Sequence, residues 1–81
     1  MLVTIRLFAR LREIAGTAEL QRTLPEGATA GTAWDLLAGE FPRLGEYRTA
    51  VSCAVNEEYA RFGAALQDGD EVAFLPPVSG G

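Results

Sequence analysis

Val72-Ala73-Phe74-Leu75-Pro76-Pro77-Val78-Ser79-Gly80-Gly81 is the stretch on which the reading of the fold turns. Val72 and Phe74 alternate with Ala73 and Leu75, the period of a half-buried strand. Pro76 and Pro77 follow; neither has a backbone N–H, so neither extends a sheet ladder, and both favour stiff extended geometry. The residues from Pro76 to Gly81 would span roughly 20 Å if fully extended. Gly80 and Gly81 lack Cβ atoms, which lets another backbone or a cofactor approach the terminal carboxylate closely. Terminal glycines also occur without any role. Here they follow a rigid Pro-Pro spacer, which itself follows a strand expected in the core. An inserted terminus is therefore expected.

Working outward, Val3, Ile5, Leu7 and Ala9 alternate with Thr4, Arg6 and Phe8, predicting a first strand with odd positions inward and Phe8 on the outer face. Arg10 to Ala15 is expected as a short helix or turn, with Leu11 and Ile14 inward and Gly16 as its stop. Leu20, Arg22 and Leu24 alternate with Gln21 and Thr23, predicting a second strand antiparallel to the first. Pro25-Glu26-Gly27 reads as a turn. Thr29 is a plausible N-cap. Trp34, Leu37, Ala38 and Phe41 fall on one helical face, extended by Ala30 and Ala33. Gly39 weakens that helix and Pro42 ends it. A loop is expected from Arg43 to Thr49, then a third strand through Val51, Cys53 and Val55. Asn56-Glu57-Glu58 is a turn, Tyr59-Ala60 a brief edge strand, Ala64-Ala65-Leu66 a short helical turn, and Asp68-Gly69-Asp70 a tight turn before the last strand, from Glu71 to Leu75.

The first and last strands are the most apolar, so they are expected in the middle of a mixed sheet, parallel to each other. About five strands with one main helix on one face make an α+β arrangement of the β-grasp, or ubiquitin-like, kind. Residues 1–75 form this domain and residues 76–81 an extended tail.

Composition narrows the function. The chain has 81 residues, the size of one domain with a limited core, and its 48% hydrophobic content is too high for disorder. It contains no His, so the commonest general base and metal ligand is missing. One cysteine, Cys53, excludes an internal disulfide and a cysteine metal cluster. A self-sufficient hydrolase or metalloenzyme is thus not expected. The net charge of −4 argues against nucleic acid and anionic membranes and suits a partner with a basic surface. All seven basic residues are Arg, so no side-chain amine is available to carry an isopeptide chain. Neither a secretory signal nor a membrane span is read, and a cytoplasmic protein is expected.

Candidate chemistry is sparse. Asp68 and Asp70 are too few for a hard-cation cage and read as turn residues; no metal is expected. Cys53 alternates with core valines and reads as a small buried hydrophobe rather than a nucleophile. Glu57 and Glu58 read as solvated turn residues. The outer sheet face is more informative: Phe8, Ala54, Tyr59, Ala73 and Leu75 would form an apolar patch on an uncovered face, an interface signal. Patch and tail leave the same edge of the domain, so one partner can hold both.

The ending from Leu66 to Gly81 resembles the C-terminal signature of the MoaD family, the small subunits of molybdopterin synthase. Leu7-Phe8-Ala9-Arg10-Leu11-Arg12-Glu13 and Ala54-Val55-Asn56 are also similar to that family's pattern, while residues 17–48 carry little of it. The thiamin sulfur carrier and the ubiquitin-related modifiers share the fold and the Gly-Gly end, although the former is usually shorter and lacks the Pro-Pro ending. The resemblance implies a sulfur-carrying, non-catalytic subunit. The Gly81 carboxylate would become an acyl-adenylate on an ATP-dependent activating enzyme, then a thiocarboxylate. It would then donate sulfur to cyclic pyranopterin monophosphate within the large subunit of the synthase, which supplies the acids and bases. It implies roles for Gly80 in letting the terminus into a narrow channel, and for Phe8, Tyr59, Leu75, Pro76, Pro77, Val78 and Ser79 in partner binding. No cofactor would be held permanently; ATP belongs to the activating enzyme. A carrier for thiamin or tRNA thiolation, or a protein modifier joined through Gly81 to lysines, is the alternative.

Overall fold

The computed structural model describes residues 1–77. Five strands form one mixed sheet: β1 (Leu2–Leu7), β2 (Glu19–Thr23), β3 (Ser52–Val55), β4 (Glu58–Ala60) and β5 (Glu71–Leu75), in the order β2-β1-β5-β3-β4. β5 is the central strand and lies parallel to β1, with Ile5 beside Val72 and Leu7 beside Phe74. β1 pairs antiparallel with β2, and β3 antiparallel with both β4 and β5. The most apolar strands thus occupy the interior of the sheet, where both neighbours satisfy their backbone groups.

Alternation does the sorting. Val3, Ile5 and Leu7 of β1 and Val72 and Phe74 of β5 are fully buried. Helix α2 (Ala30–Glu40) covers this inner face with Ala30, Ala33, Trp34 and Leu37. The Trp34 ring meets Phe74 edge-on, with centroids 5.0 Å apart, and Phe62 stands 6.1 Å from Phe74 in the same relation. Such edge-to-face pairs add about 0.5–1.5 kcal/mol beyond burial. Among the described residues, Trp34 Nε1 is the buried side-chain polar atom without a hydrogen-bond partner. An orphan of this kind costs about 1–3 kcal/mol, so the ring is held here by packing alone.

Thr29 caps α2 as expected: its hydroxyl oxygen accepts from Thr32 N–H, while Thr32 Oγ1 accepts from Thr29 N–H, a reciprocal box that satisfies two orphan donors. Two more donors at this end, Ala30 N–H and Gly31 N–H, give to the carbonyls of Ala64 (3.0 Å) and Phe62 (2.8 Å). This corrects the expected helical turn at Ala64-Ala65-Leu66. The segment is extended, with Ala65 bridged to Thr29 and Leu66 N–H bonded to Ala28 C=O, because its backbone caps α2 instead of bonding to itself. A Cβ on Gly31 would stand 3.2 Å from the Phe62 carbonyl oxygen, so the close approach favours glycine.

Three further expectations need correction. Ala9 is not an inward strand residue: it is exposed, has φ +50°, and opens helix α1 (Ala9–Ala15), because β1 stops at Leu7. Pro42–Tyr47 is a 3₁₀-helix rather than a loop; Pro42 blocks continuation of α2, and buried Leu44 anchors the tighter turn. Glu58 belongs to β4 and not to the preceding turn. α1 otherwise behaves as expected, with Leu11 buried and Gly16 closing it at φ +77°.

Candidate functional site

α2 and the core lie against one face of the sheet; the other face carries the candidate site. Strand pairing lays one row of residues across it: Glu19 of β2 beside Arg6 of β1, then Ala73 of β5, Ala54 of β3 and Tyr59 of β4. The row therefore grades from charged through small to aromatic. Small side chains on the two central strands leave a hollow, and larger ones on the flanks wall it. Arg6, Phe8, Ala54, Glu57, Tyr59, Glu71, Ala73 and Leu75 line the resulting open cavity of about 220 Å³.

All five residues of the predicted apolar patch line this hollow. Tyr59 is 81% exposed and Phe8 37% exposed, whereas Ala54 at 9% forms the floor. Leu75 sits at the rim and ends β5; Pro76, half-buried, and Pro77, exposed, follow directly. The tail thus departs from the edge of the apolar hollow. Val78, Ser79, Gly80 and Gly81 lie outside the described residues.

Three charged residues were missed. Arg6 and Glu71 share the outward parity of Phe8 and Ala73, so alternation alone was enough to find them. The Arg6 guanidinium lies 5.5 Å from the Phe8 ring centroid, 3.7 Å from Glu71 Oε1 and 4.0 Å from Glu19 Oε1. These pairs are solvent-exposed, so they orient Arg6 more than they stabilise the fold. Glu57 reaches the hollow from the turn between β3 and β4. Asn56 and Glu57 both have positive φ (+50° and +71°), as the mirror-image hairpin turns require. Periodicity carries no information about where a turn residue points.

The other candidates are structural. Asp68 Oδ1 accepts from Leu2 N–H at 2.6 Å. Asp70 accepts from Gln67 N–H and from the Asn56 side-chain amide. Both carboxylates thus fasten the turn before β5. Cys53 is buried, its thiol donates to the Ala60 carbonyl at 3.3 Å, and burial raises its pKa, which opposes thiolate formation. Among the described residues, no group of three or more His, Cys, Asp or Glu is placed to hold a metal ion, and no helix is long and apolar enough to cross a membrane.

A β-grasp body whose central strand carries Pro-Pro away from an apolar hollow has known relatives. The family model described as the ThiS family matches residues 5–81. The chain belongs to the ThiS family. It is 43% identical over 79 residues to a molybdopterin synthase sulfur carrier subunit from Arabidopsis thaliana, an alignment covering 98% of this chain and 82% of that protein. It is also 39% identical over 84 residues to Small archaeal modifier protein 1 from Haloferax volcanii, covering 94% of this chain and 97% of the relative. The crystal structure of SAMP1 from Haloferax volcanii superimposes with a TM-score of 0.86 at 36% identity, over 100% of both chains. The fold is therefore the ubiquitin-like β-grasp, as the strand order implies. For a ThiS-family chain, both groups of names are informative: one relative carries sulfur within a synthase, and the other is a modifier.

Proposed function

We propose that this chain is the sulfur carrier subunit of a molybdopterin synthase. Gly81 is its working residue. The Gly81 carboxylate attacks the α-phosphorus of ATP on an adenylating enzyme of the ubiquitin-activating type, and pyrophosphate leaves. A sulfide equivalent then displaces AMP from the acyl carbon, which leaves a thiocarboxylate. On the large subunit this sulfur passes to cyclic pyranopterin monophosphate, and two such transfers build the dithiolene. A thiocarboxylate delivered into a closed site gains by proximity what the carrier lacks in acids and bases. Gly80 keeps the approach narrow, Pro76 and Pro77 stiffen the arm, and Val78 and Ser79 complete its length. Phe8, Tyr59 and Leu75 hold the body against each partner. Neither nucleic acid nor membrane is a partner, no cofactor is held permanently, and the working compartment is the cytoplasm.

One observation carries this reading: β5, the most enclosed strand of the sheet, leads directly from the outer apolar hollow into Pro76-Pro77. The body anchors an arm at the same edge where a partner would sit. Intact-mass analysis tests it after incubation with the activating enzyme, ATP and a sulfur donor. The expected result is a gain equal to replacement of one oxygen by sulfur, located at Gly81; an unchanged mass would rule the reading out.

A second reading, a protein modifier, is favoured by the 39% identity to Small archaeal modifier protein 1. It requires that the activated Gly81 acyl group be captured by a lysine amine instead of sulfide. Higher-mass conjugates in cells, lost on deleting Gly81, would establish it. A carrier serving thiamin or tRNA thiolation uses the same thiocarboxylate, and is separated by whether dithiolene synthesis depends on this chain.

A further inference from the structure

We propose that the outer-face hollow is a receptor for one arginine side chain of the protein that docks there, its alkyl stem over Ala54, Ala73 and Leu75 and its guanidinium against Glu57. This rests on the reading of the outer face as the docking surface, and it names the chemistry of the partner.

Size comes first. A cavity of about 220 Å³ lies below the roughly 300–1,000 Å³ of small-molecule and cofactor sites and matches a single large side chain. Its floor is aliphatic, from Ala54 and Ala73, with Leu75 at the rim, and its walls are aromatic, from Phe8 and Tyr59. Three lining residues are charged: Glu57, Glu71 and Arg6. Arg6 lies 3.7 Å from Glu71, while Glu57 makes no ion pair among the described residues. Glu57 and Glu71 against the one Arg6 guanidinium, which Glu19 also approaches at 4.0 Å, leave net negative charge at an apolar hollow. The complement is a side chain that is apolar along its stem and cationic at its tip. The net charge of −4 points the same way.

Arginine is favoured over lysine because its guanidinium is more weakly hydrated and stacks on aromatic faces. The face already hosts one such arrangement, Arg6 over Phe8 at 5.5 Å. On the far side of the hollow, Tyr59 offers a second, 81% exposed ring close to Glu57 in sequence. Glu57 has φ +71° at the turn position that glycine would serve best.

The experiment measures binding of the full chain to its cognate synthase large subunit by calorimetry. Glu57→Gln is expected to weaken binding about five- to tenfold, the effect of one partly desolvated ion pair. Glu57→Arg is expected to weaken it further, and both losses should shrink at high salt. Glu58→Gln is the control, since Glu58 is exposed on the adjoining strand without lining the hollow; it should change binding less than twofold. Glu57→Gly should keep or raise Tm, by about 4 °C at most, while losing affinity like Glu57→Gln. Equal effects of Glu57→Gln and Glu58→Gln, or none from either, would overturn the proposal. A direct probe needs no partner: N-acetyl-arginine amide should shift the amide resonances of Glu57, Tyr59, Ala73 and Leu75, and the citrulline analogue should not. Equal shifts with both, or none with arginine, would also overturn it. If Leu75→Arg abolishes binding and Glu57→Gln does not, only the arginine receptor falls. If the wild-type chain fails to bind the large subunit, the functional reading falls while the arginine titration still decides this one.

Discussion

The two faces of β5 differ in kind. Val72 and Phe74 point inward and are fully buried, whereas Ala73 and Leu75 point outward and remain half-exposed. One strand of five residues therefore does two jobs. Its inner face is fixed by packing, with Phe74 clasped between Trp34 and Phe62. Its outer face is left unfilled, with small side chains where a partner's atoms would go. Alternate residues of a single strand thus divide between the core and the outer face, and substitutions should separate stability from partner binding.

The largest effect is expected on the inner face. Phe74→Ala should lower unfolding free energy by about 3–5 kcal/mol, through lost burial and the cavity left under Trp34. A domain of this length has roughly 4–12 kcal/mol in all, so the variant should be partly unfolded at 37 °C. Urea denaturation followed by the fluorescence of Trp34, the chain's single tryptophan, reads this directly. A loss below about 1 kcal/mol would mean that Phe74 is not the keystone of the core. On the outer face the pattern reverses. Phe8→Arg and Leu75→Arg should each change stability by less than about 1 kcal/mol, because neither side chain is enclosed. Each should weaken partner binding by more than about tenfold, by placing a charge in a desolvated contact. Unfolding of either variant would show that the outer face is not free.

Much of this comparison was legible in the sequence, for a simple reason. Strand side chains alternate with period two, so Val3, Ile5 and Leu7 fix the parity of β1, and Phe8 follows. The same rule separates Val72 and Phe74 from Ala73 and Leu75. The parallel centre followed from the two most apolar strands being distant in sequence. What alternation does not encode was misread. Ala64-Ala65-Leu66 has helix-forming composition, yet the Ala64 carbonyl accepts from Ala30 N–H at the start of α2 and Leu66 N–H gives to Ala28 C=O just before it. That is a tertiary choice, and no local propensity reports it. Ala9 continues the odd parity of β1 but falls past the strand's end, where φ turns positive. Glu57 enters the hollow through the turn's backbone, which periodicity does not describe. The floor of the site was readable, while one of its charged walls was not.

A smaller effect belongs to the frame that supports both faces. Removing the Thr29 cap by Thr29→Ala should destabilise by about 1 kcal/mol, the usual worth of a capping hydroxyl. The loss should appear in Tm and leave partner binding unchanged, because α2 lies on the inner face. Weaker binding at full folding would tie the helix to the docking surface and erase the separation.

The smallest effect is electrostatic and depends on pH. Arg22 of β2 and Glu40 at the end of α2 form a two-pronged ion pair, Nε to Oε2 at 2.8 Å and Nη2 to Oε1 at 2.6 Å. These hydrogen bonds hold the Glu40 carboxyl below its ordinary pKa, against a smaller opposing effect of burial. The sign follows from the lowered value. In the folded state Glu40 stays ionised to lower pH than in the unfolded chain, so its contribution is complete above the ordinary carboxylate pKa. It is lost as pH falls through the lower folded value. Both side chains are about one-third exposed, so solvent screens the pair and its worth is about 0.5 kcal/mol. Glu40→Gln should therefore reduce stability slightly at pH 7 and progressively less below the ordinary carboxylate pKa, the two unfolding curves converging as acid is added. Because Arg22 and Glu40 tie the edge strand to α2 away from the outer hollow, partner binding should not follow that convergence. A matching acid dependence of binding would show that the helix side of the sheet communicates with the docking face.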